Sequence, residues 1–392
     1  MGNVNVTGID HRSTGPPAPP GPPRRRPAGT LAGAMVGAVL ALLLGYLPGA
    51  RLGLPGRPTA PTGPQLRWTF SAAVETHAGP VVAGDTVYLG SADGILYALD
   101  AATGTVRWTH PIPEPDTTLT VADGVLYLAG SELLSALDVD THQLRWSYRV
   151  GGSLRSTLSA ADGLVYLADQ HGSLGPTLYA LDQATGQLRW TRDLGHLDGT
   201  GPTVAHGLVY VGGDHTLYAL DARTGAVRWS YPELPGPVGA APVVSERAVH
   251  ITAADSYLGA FDLWDGRKLW SHEADLVASP VVRDDTLYVP VGTGCCFDRW
   301  RTNAYRASTG ELLWSAAFHA SELVSAGAIL YSRAADDGTV YAFDPATGEP
   351  GWRFPAGDRN SGAPAATGET VYVADGEHTL FAVRAPPPPP WR

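Results

Sequence analysis

Cysteine, lysine and catalytic motifs are what this sequence lacks. Its two cysteines, Cys295 and Cys296, are adjacent, which excludes a disulfide framework and the paired-cysteine spacing of a zinc site. Lys268 is the one lysine among 27 Lys and Arg residues. Charged residues make up 17% of the chain, and the formal net charge is −11, distributed as +3 over the first 50 residues and −14 over the rest. Nucleic-acid binding needs clustered Lys and Arg, so an acidic body with scattered charge excludes that class. Gly-x-Ser-x-Gly, P-loop and His-Glu-x-x-His patterns are missing, and no catalytic residues and no metal ligands are assigned. The expected protein is not an enzyme.

What the sequence has is repetition. Residues 97–108 read Tyr-Ala-Leu-Asp-Ala-Ala-Thr-Gly-Thr-Val-Arg-Trp. Residues 179–190, 218–229 and 341–352 repeat this closely, and 135–146, 259–270 and 303–314 are degraded copies. The fourth position (Asp100, Asp138, Asp182, Asp221, Asp262, Arg306, Asp344) precedes a Trp by eight residues in every copy, whereas 30 to 36 residues separate that Trp from the next fourth position. A fixed motif at a period near 40 marks a repeat architecture. Leu-Tyr-Ala-Leu alternates large and small residues as a strand packed on both faces does. Asp with Thr-Gly supplies a tight turn, and a second strand ends on the Trp. Upstream, residues 79–90 form two more short strands about a Gly84-Asp85 turn. Each unit is therefore a four-stranded antiparallel sheet, and only a ring of such sheets buries both faces.

The pattern Leu-Tyr-Ala-Leu-Asp-x-x-Thr-Gly-x-x-x-Trp resembles the repeat of the pyrroloquinoline-quinone-like (PQQ-like) propellers, the family of the BamB-type assembly lipoproteins and the quinoprotein alcohol dehydrogenases. The resemblance spans residues 64–384. It implies an all-β propeller, with function left open between scaffold and dehydrogenase. Eight Trp residues stand in phase: Trp68, Trp108, Trp146, Trp190, Trp229, Trp270, Trp314 and Trp352. They are expected to dock blade on blade, where a large side chain excludes most water. Trp68 has no motif before it, and the last three-strand group, 363–383, has no Trp strand after it. Pairing these two completes an eighth blade.

Ahead of the propeller, residues 1–27 read as a disordered, Pro/Arg-rich cytoplasmic segment. Residues 28–50 carry no charge and hold 17 consecutive apolar or small residues, 31–47, flanked by Arg24–Arg26 and Arg51. This is read as a transmembrane helix acting as an uncleaved signal anchor, single-pass in the plasma membrane, with the propeller extracytoplasmic. A cleaved signal peptide shares the basic and apolar pattern, and either reading exports the propeller. Residues 51–63 are a linker, and 385–392 a Pro-rich tail.

Binding is expected where the repeat is interrupted. Residues 169–176, with His171 and Ser173, and 292–301, with Cys295, Cys296, Asp298 and Arg299, replace short turns; long loops on a rigid scaffold are common binding sites. They lie three blades apart on the face that carries the second-to-third-strand loops. His77, His196, His272 and His319, with Glu75, Asp198, Glu273 and Glu322, are expected in inter-blade loops without metal-ligand spacing. Cys295 and Cys296 are a candidate disulfide. Adjacent Cα atoms lie about 3.8 Å apart, so the bridge would close a strained eight-membered ring. The resemblance implies that quinoprotein alcohol dehydrogenases hold such a ring against their cofactor. The expected function is a non-enzymatic scaffold, without cofactor, that binds a protein or cell-envelope partner. The alternative is a PQQ-dependent dehydrogenase holding PQQ with calcium.

Overall fold

The computed structural model describes residues 63–385, apart from short segments at 73–78, 113, 115–116, 155–156, 170–176, 196–200, 254–255, 274–278, 294–298, 318–321, 327–328, 335–337 and 358–361. The expected cytoplasmic segment, membrane helix and most of the linker and tail lie outside the described residues, among which no helix is long and apolar enough to cross a membrane.

Eight four-stranded antiparallel sheets form the described ring. In blade 1 the strands run Val81–Ala83, Thr86–Ser91, Ile95–Asp100 and Val106–Pro111, paired in chain order from the axis outward. Blades 2 to 7 repeat this over residues 118–149, 159–193, 203–231, 243–273, 281–316 and 322–355. Blade 8 takes three strands from residues 365–384, and its outermost strand is Gln65–Ser71, which pairs antiparallel with Thr379–Arg384. The innermost strands of blades 1 and 8 also meet, closing the ring.

The alternation read from the motif has a physical destination. Val87, Leu89 and Leu99 pack with Trp68, Tyr372 and Leu380 of blade 8. Their neighbours Tyr88, Leu96 and Ala98 pack with Leu119, Leu126 and Leu137 of blade 2. Each blade thus divides its apolar residues between two junctions, as a period of two requires. Eight separate cores result, one per junction.

A β-bulge recurs in every outer strand. Leu99 pairs with Val106 but Ala98 pairs with Trp108, which leaves Arg107 as the extra residue. The same shift falls at the equivalent place in the other seven blades. Consequently Trp faces an alanine across the ladder every time: Ala382, Ala98, Ala136, Ala180, Ala219, Ala260, Ala304 and Ala342. The small residue makes room for the indole to lie toward the next blade.

Deleting residues 63–71 should bare the edge of the Thr379–Arg384 strand and remove Trp68 from the core between blades 8 and 1. A fall in the thermal midpoint of the whole ring is the expected result. An unchanged midpoint would show that Gln65–Ser71 contributes nothing to closure.

Candidate functional site

The motif turn is a socket. Asp100 Oδ1 accepts from the Ala102 and Thr103 amides and from the Thr103 hydroxyl, at 3.0, 2.9 and 2.9 Å, while Oδ2 accepts from Arg107 at 2.7 Å. Asp182 and Asp221 repeat this with Arg189 and Arg228, and Asp138 pairs likewise with Arg145. The bulge aims each Arg at the Asp of its own hairpin. Hydrogen bonds from Arg107 and Thr103 hold the Asp100 carboxyl down to about 2, from the ordinary 3.8. Those from Arg189 and Thr185 hold Asp182 at about 2 as well. Blade 6 keeps the brace with the charges exchanged: Arg306 stands at the Asp position and pairs with Glu311 at 3.0 Å, while Asp285 takes the Ser308 amide and hydroxyl.

Into each socket goes the Trp of the preceding blade. Trp68, Trp146, Trp190, Trp229, Trp270 and Trp314 donate from Nε1 to the carbonyls of Ala101, Gln183, Ala222, Leu263, Ala307 and Pro345, at 2.9 to 3.1 Å. Their rings lie against the turn glycines 104, 186, 225, 266, 310 and 348, where an added Cβ would fall 2.5 to 2.8 Å from an indole atom. Those glycines also have positive φ, so their backbone conformation suits glycine on both counts. A buried tyrosine shares several of the carbonyls: Tyr372 donates to Ala101, Tyr166 to Ala222, Tyr210 to Leu263 and Tyr288 to Pro345. Two of the eight Trp residues differ. Trp108 meets His142 in place of glycine. Trp352 faces blade 8, whose outer strand comes from the other chain end, so no motif turn follows there. Its Nε1 and the Tyr331 hydroxyl are buried without a partner among the described residues.

The opposite face carries the longer connections. Asp169, fully buried, anchors the base of the blade 3 loop: Oδ1 accepts from the Thr177 amide at 2.8 Å and Oδ2 from the Tyr179 hydroxyl at 2.9 Å. His171 and Ser173 lie outside the described residues. In blade 6 the expected loop 292–301 is shorter than its sequence suggested. Thr286–Thr293 and Arg299–Arg306 are eight-residue strands, against five or six elsewhere, and Gly292 pairs with Trp300 and Thr293 with Arg299. Ladder pairing overrides the glycine-rich composition here. The hairpin therefore extends further than its counterparts, with Arg299 at a strand end; Cys295, Cys296 and Asp298 lie outside the described residues. No described contact joins the two excursions.

The histidine expectation is corrected too. His272 and Glu273 belong to the outer strand Lys268–Glu273, not to a loop. His272 Nε2 lies 2.6 Å from the Gly310 carbonyl, and its ring stacks on Tyr305 at 5.2 Å. This is a blade-docking contact. His77, His196, His319, Glu75 and Asp198 lie outside the described residues.

The family model described as outer membrane protein assembly factor BamB matches residues 59–175, 113–195, 175–299 and 298–385. The chain belongs to that family. Among solved structures, BamB from Moraxella catarrhalis is 18% identical with a TM-score of 0.65, covering 82% of this chain and 99% of that one. Quinohemoprotein alcohol dehydrogenase from Comamonas testosteroni is 15% identical with a TM-score of 0.66, covering 83% and 78%. Both likenesses concern the fold. A curated relative, the serine/threonine-protein kinase AfsK of Streptomyces griseus, is 34% identical over 110 residues. That match spans 25% of this chain and 14% of the kinase.

Two outcomes follow from the sockets of this BamB-family ring. Trp270→Phe strands the Ala307 carbonyl and should cost about 1–3 kcal/mol. Trp352→Phe removes a donor with no described partner and should cost less than half as much. Equal losses in denaturant unfolding would contradict the socket's role. The second outcome concerns acid. Asp100 and Asp182 have folded-state values below the unfolded one, so their contribution is complete above pH about 4 and is lost as pH falls through about 2. Stability should drop across that window, and less steeply in the Asp182→Asn variant.

Proposed function

We propose that this chain is a non-catalytic binding propeller, anchored by residues 28–50 and exposed outside the plasma membrane, which engages a protein or cell-envelope ligand through the face bearing segments 170–176 and 294–299. The observation that carries this reading is the blade 6 hairpin, whose paired strands run two or three residues past those of the other blades. Propellers gain contact surface by such extensions on an unchanged ring. The family match supports the scaffold reading, since its model is described as an assembly factor. So does the use of polar side chains: the recurring Asp, Arg, Thr and Tyr groups described above are engaged in turns and junctions.

A second reading, a dehydrogenase using PQQ and calcium, draws on the likeness to the Comamonas enzyme and on the adjacent pair Cys295-Cys296. The described residues fit that cofactor poorly. They contain no group of three or more His, Cys, Asp or Glu side chains placed to hold a metal ion. PQQ chemistry needs a metal that polarises the quinone and a general base beside it.

Shortening 170–176, or 294–298, to a glycine-containing turn should weaken capture of an envelope partner by the purified propeller while its melting temperature stays within about 2 °C of the parent. Reconstitution with PQQ and calcium should give no quinone binding and no alcohol oxidation with an artificial electron acceptor. Calcium-dependent quinone binding lost in a Cys295→Ser, Cys296→Ser variant would replace the scaffold reading with the enzyme. The anchor has its own check: protease added to spheroplasts should remove the propeller, whereas protection would reverse the topology.

A further inference from the structure

The junction between blades 1 and 2 departs from the pattern at a single residue. His142 stands where the six sockets have glycine, and it keeps the positive φ of that position, 61°. A side chain there cannot coexist with an indole lying on the turn, because a Cβ at the glycine positions falls within 2.8 Å of the ring. Trp108 instead stacks on the imidazole, with centroids 4.5 Å apart and planes at 30°. The socket bond is not formed here: among the described residues neither Trp108 Nε1 nor the Tyr88 hydroxyl bonds the Val139 carbonyl, the counterpart of the carbonyls that accept at the other sockets.

A cavity of about 460 Å³ opens beside them, on the face of the motif turns. Tyr88, Trp108 and His142 line it with aromatic surface, Val139 and Gly124 bound the blade 2 side, and Arg107 stands on the blade 1 side. Arg107 is already engaged by Asp85 at 2.7 and 2.8 Å and by Asp100 at 2.7 Å. Its charge is met within the protein, and the lining also carries the Asp140 carboxylate, so the site offers no unpaired arginine or lysine with which to select an anion. The volume is in the range that holds small-molecule ligands.

We propose that this cavity binds a small, planar, non-anionic molecule carrying an amide edge. At four other junctions a Trp Nε1 and a Tyr hydroxyl converge on one carbonyl oxygen; Ala222, for example, accepts from Trp190 at 3.0 Å and Tyr166 at 3.1 Å. At this junction the residues that bear the same two donor types and the turn carbonyl, Trp108, Tyr88 and Val139, line a cavity. A ligand carbonyl accepts from Trp108 and Tyr88, its N–H donates to the Val139 carbonyl, and its ring packs among the three aromatic side chains. An amide is the simplest group that offers acceptor and donor side by side. This site lies at the opposite end of the blades from the strand ends Ala168 and Thr293 and does not depend on the scaffold reading.

The test uses the full chain with benzamide and nicotinamide as probes and toluene as the ring without the amide, followed by saturation-transfer NMR. Both amides are expected to bind and toluene to give no signal. His142→Gly should let Trp108 settle into a normal socket. Its midpoint should then rise by about 2 °C, and amide binding should weaken at least tenfold. Trp108→Phe keeps the cavity but loses one donor and should weaken binding about fivefold. Absence of any amide signal, equal binding by toluene, or undiminished binding in His142→Gly would overturn the proposal.

Discussion

The ring depends on the seating of one indole in the next blade's turn. A single blade has apolar residues on both faces and cannot bury either alone, so each stabilising contact of consequence crosses a junction. In blades 3 to 6 one motif carries both halves of the joint: its braced turn receives the Trp of the preceding blade, and its own Trp, eight residues after the fourth position, enters the following one. Inserting a residue between them would misplace peg against socket in two junctions at once. The intervals between motifs bear no such constraint, and they vary from 30 to 36 residues. Blade 6 shows what the socket requires. Arg306 with Glu311 replaces Asp with Arg, and Asp285 takes over the turn amide, so the polar bracing survives a reversal of charge. The glycine under the indole remains, as Gly310.

The parts of this scheme carried by local spacing were legible in the sequence. Blade number, strand order and the pairing of the Trp68 strand with the last blade follow from counting a motif against its own fragments. What was not legible depends on register. Ala98 and Trp108 are ten residues apart with a turn between them, and nothing in the one-dimensional pattern says that they face each other. Their pairing requires the bulge at Arg107. The same bulge explains why Arg precedes Trp in five copies, at 67, 107, 145, 189 and 228, a recurrence visible in the sequence but mute without the geometry. Composition misled at Gly292–Thr293, where glycine suggested a loop and ladder pairing made a strand. It misled again at His272, where a histidine beside a glutamate suggested a surface group and the ring instead stacks on Tyr305.

Candidate binding residues were legible only as excess length. A long connection shows where a propeller has room to add contacts, and says little about what it contacts. The buried Asp169 adds a physical element: a carboxylate taken fully out of water is retained because it fixes the mouth of the blade 3 loop through the Thr177 amide and Tyr179 hydroxyl. Blade 6 reaches outward by a different means, lengthening its two paired strands by two or three residues.

Two junctions lack the socket bond, and they lack it for different reasons. Between blades 7 and 8 the loss is topological. The outer strand of blade 8 comes from residues 65–71, so its third and fourth strands are not joined by a motif hairpin, and two buried donors go without a described acceptor. Between blades 1 and 2 the chain is continuous and the turn is present, and a single change of glycine to histidine unseats the indole. That residue sits at a positive φ, where a side chain is unfavourable, and it forgoes a hydrogen bond that six junctions make. Folding alone favours glycine here, because the same chain uses glycine at all six sockets that seat an indole. A residue that weakens its own joint and opens a cavity lined by aromatic rings is accounted for by what the cavity receives, not by the stability of the ring.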